Sequence, residues 1–225
     1  MTLFPAKSYP TLPVKGETDT YPVHRIFCVG QNYADHAKEV GSSVDPEAPF
    51  FFMKDAQALV PTGETIPLAP GTDNLHYEME LVIALGAPLF NATEDQARAA
   101  IFGYACGLDM TRRDLQAAAK AKGRPWDFAK NFEQSAILAS ISRDFTPANQ
   151  RIWLTLDGQL RQDGTIADMV RGPVEVLTYL SRFYHLDAGD LVFTGTPAGI
   201  GAVTAGSRVE GGIEGLEPVA VTYAA

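Results

Sequence analysis

The sequence has little cysteine, no long apolar run and no cluster of basic residues. Its two cysteines, Cys28 and Cys106, lie inside apolar runs and outside any C-x-x-C pair, so we expect buried thiols rather than a disulfide or a zinc site. No stretch reaches the roughly 18 apolar residues of a membrane-spanning helix. The start of the chain lacks the charged and apolar regions of a secretory signal, so a cytoplasmic location is expected.

The charge balance is acidic, and it disfavours a nucleic-acid partner. The chain has 27 Asp and Glu residues against 18 Lys and Arg, a net charge of −9. Phosphate binding needs a basic face, and the sequence offers none. With 225 residues, 46% of them hydrophobic, the chain is long enough to bury one substantial core. We therefore predict an extended, proline-punctuated arm over residues 1–22 and one domain over residues 23–225, which would carry any catalytic site.

Short apolar runs and capping signals indicate more strands than helices. Strands are predicted over residues 26–29, 50–54, 76–85, 104–110, 191–194, 208–211 and 219–223. Helices are predicted over residues 32–40, 93–103, 111–122 and 173–185. A capping box at Thr93 and Gln96 begins the second helix, and Asp157-Gly158 suits the turn of a hairpin over residues 153–162. The strand–helix alternation of a doubly wound sheet is absent, so an α+β fold with a mixed sheet is expected.

Three carboxylates are the strongest candidates for a metal site. On a strand, Glu78 and Glu80 would point to the same side from Cα atoms about 6.5–7 Å apart. This spacing alone is more typical of a solvated strand face. Asp109, however, ends another apolar strand just before a helix, where side chains often meet a cleft. Three hard oxygen ligands suit Mg²⁺, with Mn²⁺ or Ca²⁺ as alternatives, whereas the histidine-rich pattern of a zinc site is missing.

His36 and Glu39 form a second candidate group on the first predicted helix. Their spacing of three residues places them on one helix face, close enough to hydrogen-bond. A carboxylate that orients an imidazole makes it a better base, so the pair could take a proton from water near neutral pH. An isolated pair of this kind is more often a surface ion pair. The flanking motifs therefore decide whether the pair is catalytic or a surface ion pair.

Six motifs together give this context, and they run in order along nearly all of the chain after Pro22. They are CVGQNYADHAKE (28–39), FFMK (51–54), NLHYEMEL (74–81), GLDMTRRDLQ (107–116), KGRPWDFAK (122–130) and TGTPAGIG (194–201). In these motifs the chain resembles the fumarylacetoacetate hydrolase superfamily, specifically its short acylpyruvate-hydrolase branch. The resemblance implies a mixed β-sandwich roll, which usually forms a homodimer.

The resemblance also implies roles for individual residues. Glu78, Glu80 and Asp109 match the family's metal ligands. His36 and Glu39 match a water-activating dyad, carried on a helix that behaves as a lid. The remaining matches are Lys130 near the carbonyl and developing enolate, and Gln116 and Thr196 as substrate contacts. Lys54 and Arg112 are further candidate substrate contacts. Arg112 and its neighbour Arg113 could instead simply begin a helix.

The implied activity is cleavage of a carbon–carbon bond in a small diketo acid. Fumarylpyruvate, an intermediate of gentisate breakdown, is the preferred substrate, and hydrolysis would yield fumarate and pyruvate. Oxaloacetate decarboxylation remains an alternative, because it needs the same stabilised enolate. A second alternative is isomerisation or decarboxylation of a dienedioate from aromatic catabolism. A non-catalytic ligand-binding role is disfavoured, because the dyad and ligand set are both complete. Gln31 stands where many relatives have a basic or aliphatic residue. The sequence therefore does not identify the acyl group that the pocket accepts.

Overall fold

The computed structural model describes residues 3–45 and 47–225, most of which form strands and their connections. The strands are β1 (Thr11–Pro13), β2 (Thr20–Pro22), β3 (Arg25–Val29), β4 (Phe51–Lys54), β5 (Leu59–Pro61), β6 (Thr65–Ile66), β7 (Leu75–Tyr77), β8 (Met79–Leu85), β9 (Ile101–Asp109), β10 (Thr111–Arg112), β11 (Ala136–Leu138), β12 (Arg151–Leu156), β13 (Gln159–Thr165), β14 (Asp190–Phe193), β15 (Gly201–Ala202), β16 (Arg208–Ile213) and β17 (Val219–Tyr223). The helices are α1 (Ala34–Glu39), α2 (Glu94–Ala100), α3 (Arg113–Ala121), α4 (Asp127–Lys130) and α5 (Pro173–Leu180). No helix among the described residues is long and apolar enough to cross a membrane.

A seven-stranded sheet forms the centre of the fold, in the order β4-β3-β14-β8-β9-β11-β5. It is mixed, because β14 pairs with β3 in parallel but with β8 antiparallel. Strand β8 is buried on both faces: Leu81 and Ile83 belong to one apolar cluster, and Val82 and Ala84 to another. This double burial explains why β8 is an unbroken apolar run rather than an alternating one.

A five-stranded sheet, in the order β13-β12-β16-β17-β6, covers one face of the central sheet. The main core lies between the two, where Leu81 and Leu108 belong to the same cluster as Ile152, Val209 and Val221. The predicted α+β fold with a mixed β-sandwich is confirmed. The hairpin at Asp157-Gly158 is also confirmed, since both residues have the positive φ that its turn requires, 51° and 78°.

Residues 11–22 form a two-stranded hairpin, β1-β2, on the other face of the central sheet. Leu12 and Tyr21 are buried there, in the cluster that contains Val82. The Tyr21 hydroxyl donates hydrogen bonds to the carbonyls of Leu85 and Asp190, at 2.7 and 3.0 Å. The segment predicted as an extended arm is thus anchored to the sheet. A boundary after residue 22 remains a prediction.

Two predicted helices are too long. The helix that begins at the Thr93 capping box, itself confirmed, ends at Ala100 rather than near Gly103. Residues from Ile101 onward pair with β8, because sheet pairing buries their backbone and apolar side chains together. Helix α5 ends at Leu180, before the predicted residue 185, and the next residues form turns.

Candidate active site

The three candidate carboxylates lie where β8 begins and β9 ends. These strands are antiparallel neighbours, with Glu80 opposite Gly107, so the start of β8 lies beside the end of β9. The Asp109 amide donates to the Glu78 carbonyl at 2.9 Å. One carboxylate oxygen from each of Glu78, Glu80 and Asp109 lies within 4.8 Å of the other two. Strand pairing therefore assembles the cluster.

The prediction of one strand over residues 76–85 is wrong at Glu78. Strand β7 ends at Tyr77 and pairs with β10 and β15, whereas β8 begins at Met79 in the central sheet. The chain changes sheets at Glu78, so the side-chain alternation of a single strand does not apply there. The two glutamates still lie close together, because Glu78 is the residue between β7 and β8 and Glu80 is the second residue of β8.

The electrostatics of the cluster favour a bound cation. All three carboxylates are buried, at most 4% exposed. Burial, together with the charges of Asp109 and Glu78, raises the pKa of Glu80 well above its usual value. Asp109 Oδ1 is buried and accepts no hydrogen bond. Such clustered, incompletely satisfied carboxylate oxygens fit the ligand preference of Mg²⁺ or Mn²⁺.

Lys130, at the end of the short helix α4, lies against this cluster. Its Nζ donates to Glu78 Oε2 at 2.8 Å, Asp109 Oδ2 at 2.7 Å and Thr111 Oγ1 at 2.6 Å. Burial acts to lower the pKa of Lys130, but the charges of Asp109 and Glu78 outweigh it and raise that pKa. For Glu78, burial acts to raise the pKa, yet Lys130 and Arg113 hold it below its usual range. An ammonium group therefore already balances part of the negative charge.

Lys54 lies behind the cluster rather than on the cavity wall. Its Nζ is 2.9 Å from Asp109 Oδ1, so the two groups form an ion pair, but the angles at these atoms do not meet those of a hydrogen bond. It also donates to the carbonyls of Lys130 at 2.5 Å and Met110 at 3.1 Å, with its side chain fully buried. The structure therefore does not support the predicted substrate contact, because Lys54 is buried against Met110 and Lys130 of the same chain. This lysine positions Asp109 and the end of α4.

His36 and Glu39 lie on α1, which begins at Ala34, two residues later than predicted. His36 Nδ1 is 3.3 Å from Glu39 Oε2. Burial lowers the pKa of His36, opposed mainly by the charge of Glu78 and the hydrogen bond of Glu39. The imidazole is therefore neutral near pH 7 and available as a base.

A backbone amide orients the Glu39 carboxylate. Gly199 N donates to both of its oxygens, at 3.0 and 3.2 Å. Gly199 has φ = 100°, and a Cβ there would lie 2.0 Å from the Arg161 carbonyl oxygen. Only glycine fits this position. Gly199 of the TGTPAGIG motif thus has a physical role in holding the dyad.

One cavity of about 440 Å³ brings most of the predicted site residues together. The predicted residues on its wall are His36, Glu39, Glu78, Glu80, Asp109, Gln116, Lys130 and Thr196. The dyad reaches the cavity from α1, and the carboxylates reach it from the strand ends of the central sheet. This size is ordinary for a small-molecule site. A small substrate could therefore meet the carboxylate cluster and the histidine at once.

Arg112 does not reach this cavity, so its predicted substrate contact is not supported. Its Nη1 donates to the Phe128 carbonyl at 3.0 Å, and its guanidinium lies 4.3 Å from the centre of the Phe132 ring. Arg113 lines the cavity instead; it pairs with Glu78 and donates to Gln116 Oε1 at 2.5 Å. The reason is local: residues 111–112 form β10 and the helix begins only at Arg113.

Thr111 is the first residue of the helix predicted over residues 111–122, but it lies in β10. Its buried hydroxyl accepts a hydrogen bond from Lys130 Nζ at 2.6 Å.

A family profile described as fumarylacetoacetate (FAA) hydrolase, C-terminal, matches residues 25–222. The chain belongs to the fumarylacetoacetate hydrolase family. The resemblance drawn from the six motifs is confirmed, and so is the family fold.

Among curated members of the fumarylacetoacetate hydrolase family, a fumarylpyruvate hydrolase of Ralstonia sp is 44% identical over 187 residues, covering 81% of this chain and 97% of that protein. An oxaloacetate tautomerase of Escherichia coli (strain K12) is 42% identical over 193 residues, covering 84% and 88%. A crystal structure of fumarylpyruvate hydrolase from Pseudomonas aeruginosa, in complex with Mn²⁺ and pyruvate, matches with a TM-score of 0.95 and 43% identity, covering 100% and 99%.

Sequence reasoning did not identify Gln162, which contacts residues of this fumarylacetoacetate hydrolase family site without lining the cavity. Its buried amide donates to Thr196 Oγ1 at 2.9 Å and to the Pro197 carbonyl at 2.7 Å. Its oxygen accepts from Met79 N at 3.0 Å. Gln162 therefore joins the Thr196 loop to the start of β8. A lone glutamine in a polar hairpin strand carries no sequence signal of this role.

Proposed function

We propose that this protein hydrolyses an acylpyruvate, with fumarylpyruvate as the preferred substrate and fumarate and pyruvate as products. The observation that carries the proposal is the meeting of two groups in one cavity, the buried carboxylate cluster and the His36–Glu39 pair. The relatives named fumarylpyruvate hydrolase add support, in particular the structure solved with Mn²⁺ and pyruvate.

The chain's own residues suggest how hydrolysis proceeds. Neutral His36, oriented by Glu39, takes a proton from water, which attacks the acyl carbonyl beside the bond to be broken. As the carbon–carbon bond breaks, Lys130 offers positive charge where the enolate of pyruvate develops, and the proton taken by His36 returns to the enolate carbon to give pyruvate. A divalent cation held by Glu78, Glu80 and Asp109 would supply Lewis-acid stabilisation of the same negative charge. Gln116 and Thr196, on the cavity wall, are proposed to bind substrate oxygens.

Several finer properties belong to this proposal. We propose Mg²⁺ as the physiological cation, with Mn²⁺ or Ca²⁺ as alternatives, because the site offers only carboxylate oxygens. A homodimer and a place in aromatic catabolism are proposed from the family resemblance. A cytoplasmic location and a catalytic domain over residues 23–225 are proposed from the sequence. Light scattering would test the dimer. Removing bound metal and measuring activity with each cation added separately would show which cation supports the highest activity.

A second candidate is oxaloacetate tautomerisation, favoured by the E. coli relative of that name. His36 could move a proton between carbon and oxygen without an attacking water. One panel separates the possibilities: fumarylpyruvate, acetylpyruvate and oxaloacetate, each with Mg²⁺, followed by enol absorbance and pyruvate release. Hydrolysis predicts pyruvate from both acylpyruvates at rates far above the oxaloacetate reactions. Rapid enol–keto exchange of oxaloacetate without acylpyruvate cleavage would favour the second candidate, and rapid release of carbon dioxide would favour decarboxylation.

A further inference from the structure

The cavity wall contains a basic side chain that the proposed chemistry leaves unused. Three Lys or Arg residues of the described chain line the cavity: Arg113, Lys120 and Lys130. Arg113 is paired with Glu78, and Lys130 with Glu78 and Asp109. Lys120 has no carboxylate within ion-pair distance among the described residues. Its Nζ donates to the Val40 carbonyl at 3.2 Å.

Helix α3 extends from the carboxylate cluster to this lysine. The residues of α3 that line the cavity, at positions 113, 116, 117 and 120, have the spacing of one helix face. Arg113 contacts Glu78 at one end of the face, and Lys120 is seven residues further on. With a rise of 1.5 Å per residue, the two Cα atoms are about 10 Å apart along the axis.

Lys120 also contacts the residue that follows α1, the helix that the family resemblance predicts to act as a lid. Val40, whose carbonyl it binds, is the residue that follows Glu39, the last residue of α1. Lys120 is exposed, so its ammonium can leave the neutral carbonyl for a charged partner without breaking a buried contact. A carboxylate is the stronger acceptor for it.

We propose that Lys120 binds the distal carboxylate of a diacid substrate, so that the site prefers acylpyruvates whose acyl group ends in a carboxylate. This inference rests on the proposed function. The length of fumarylpyruvate is compatible with this helix face. Its extended chain has six carbon–carbon bonds and spans about 7 Å, on the scale of 3.3–3.6 Å per three backbone bonds. The flexible lysine stem covers the remaining distance from the carboxylate cluster.

The test compares two substrates in four proteins: the wild type, Lys120→Met, Lys120→Arg and Lys122→Met. Fumarylpyruvate carries the distal carboxylate, and acetylpyruvate does not. Lys120→Met is expected to lower kcat/KM for fumarylpyruvate about 10-fold, mainly through KM, and to leave acetylpyruvate within about 2-fold. Lys120→Arg should retain most of the preference. Lys122→Met removes the same charge at the end of α3, off the cavity wall, and should change neither value.

Three outcomes would overturn the inference, and they are distinguishable. Equal losses for both substrates in Lys120→Met would mean that the lysine acts on the lid through Val40 and not on the distal carboxylate, while hydrolysis itself would stand. A wild type that cleaves neither acylpyruvate would overturn the proposed function and the role of Lys120 together. An unchanged fumarylpyruvate kcat/KM in Lys120→Met would also contradict it.

Discussion

The two sides of the cavity differ in how the fold holds them. The carboxylates stand on or beside paired strands of a buried sheet, with no more than 4% exposure. The dyad stands on a six-residue helix whose Asp35 and Lys38 side chains are 81% and 75% exposed. So short a helix has little stability of its own. The sheet side can hold charges that repel one another, and the short helix is the side on which the family resemblance predicts a lid.

Glu80→Gln tests the sheet side and has the largest expected effect. Losing one ligand should abolish tight cation binding, and turnover should fall by about 10³-fold or more. Without added metal, the variant should be at least as stable as the wild type, because it replaces a buried carboxyl group whose ionisation burial, Asp109 and Glu78 disfavour. Calorimetric titration with Mn²⁺ and thermal melts with and without Mn²⁺ provide the measurements.

At a Mn²⁺ concentration 100 times Kd, the wild type should gain about 2.7 kcal/mol of unfolding free energy and the variant almost none. Glu64→Gln, an exposed site away from the cavity, is the matched control and should behave as wild type. An undiminished metal-dependent shift in Glu80→Gln would remove Glu80 from the ligand set.

His36→Ala tests the lid side separately from the metal. Turnover of acylpyruvate should fall by about 10²–10⁴-fold, the usual contribution of a general base, while the Mn²⁺-dependent stabilisation should persist. Any slow decarboxylation of oxaloacetate by the loaded protein should survive, because that reaction needs no attacking water. His185→Ala, at an exposed histidine outside the cavity, is the control. Unimpaired acylpyruvate cleavage in His36→Ala would rule out the dyad.

Hydrogen exchange tests the contrast in mobility directly. Amides of residues 34–40 should exchange faster than those of β8, which lie between two paired strands. Adding Mg²⁺ and oxalate, an analogue of pyruvate enolate, should slow exchange in residues 34–40 several-fold and leave β8 unchanged. Helix α5 provides a reference outside the cavity. Equal protection of residues 34–40 with and without oxalate would contradict a lid.

The smallest expected effect concerns pH. Burial lowers the pKa of His36, so the acid limb of kcat/KM should lie below the ordinary histidine value of about 6.5. The base is active when neutral, so the rate falls as pH drops through that pKa. Glu39→Gln removes an interaction that raises this pKa. Its acid limb should move to still lower pH, with a maximum rate about 10-fold lower. A limb that moves to higher pH would contradict the assigned interaction.

The sequence predicted parts of the fold where a short-range rule applies. The capping box at Thr93, the turn at Asp157-Gly158 and the apolar strand β8 each depend on neighbouring residues alone. Predictions failed where tertiary pairing overrides propensity. Residues from Ile101 onward join the sheet instead of extending α2, and the expected strand over 76–85 divides at Glu78 because the chain changes sheets there.

Within the site, the ordered motifs identified the family and the candidate residues, and their side-chain types set the chemistry that they can perform. Which of those residues share the cavity was decided by the tertiary structure. Lys54 and Arg112 belong to matched motifs yet lie outside it, whereas Arg113 lies within it. The order of motifs along the chain does not predict the direction in which a side chain points. That direction follows from where α3 begins and from which strands are neighbours, and both depend on packing between residues far apart in the chain.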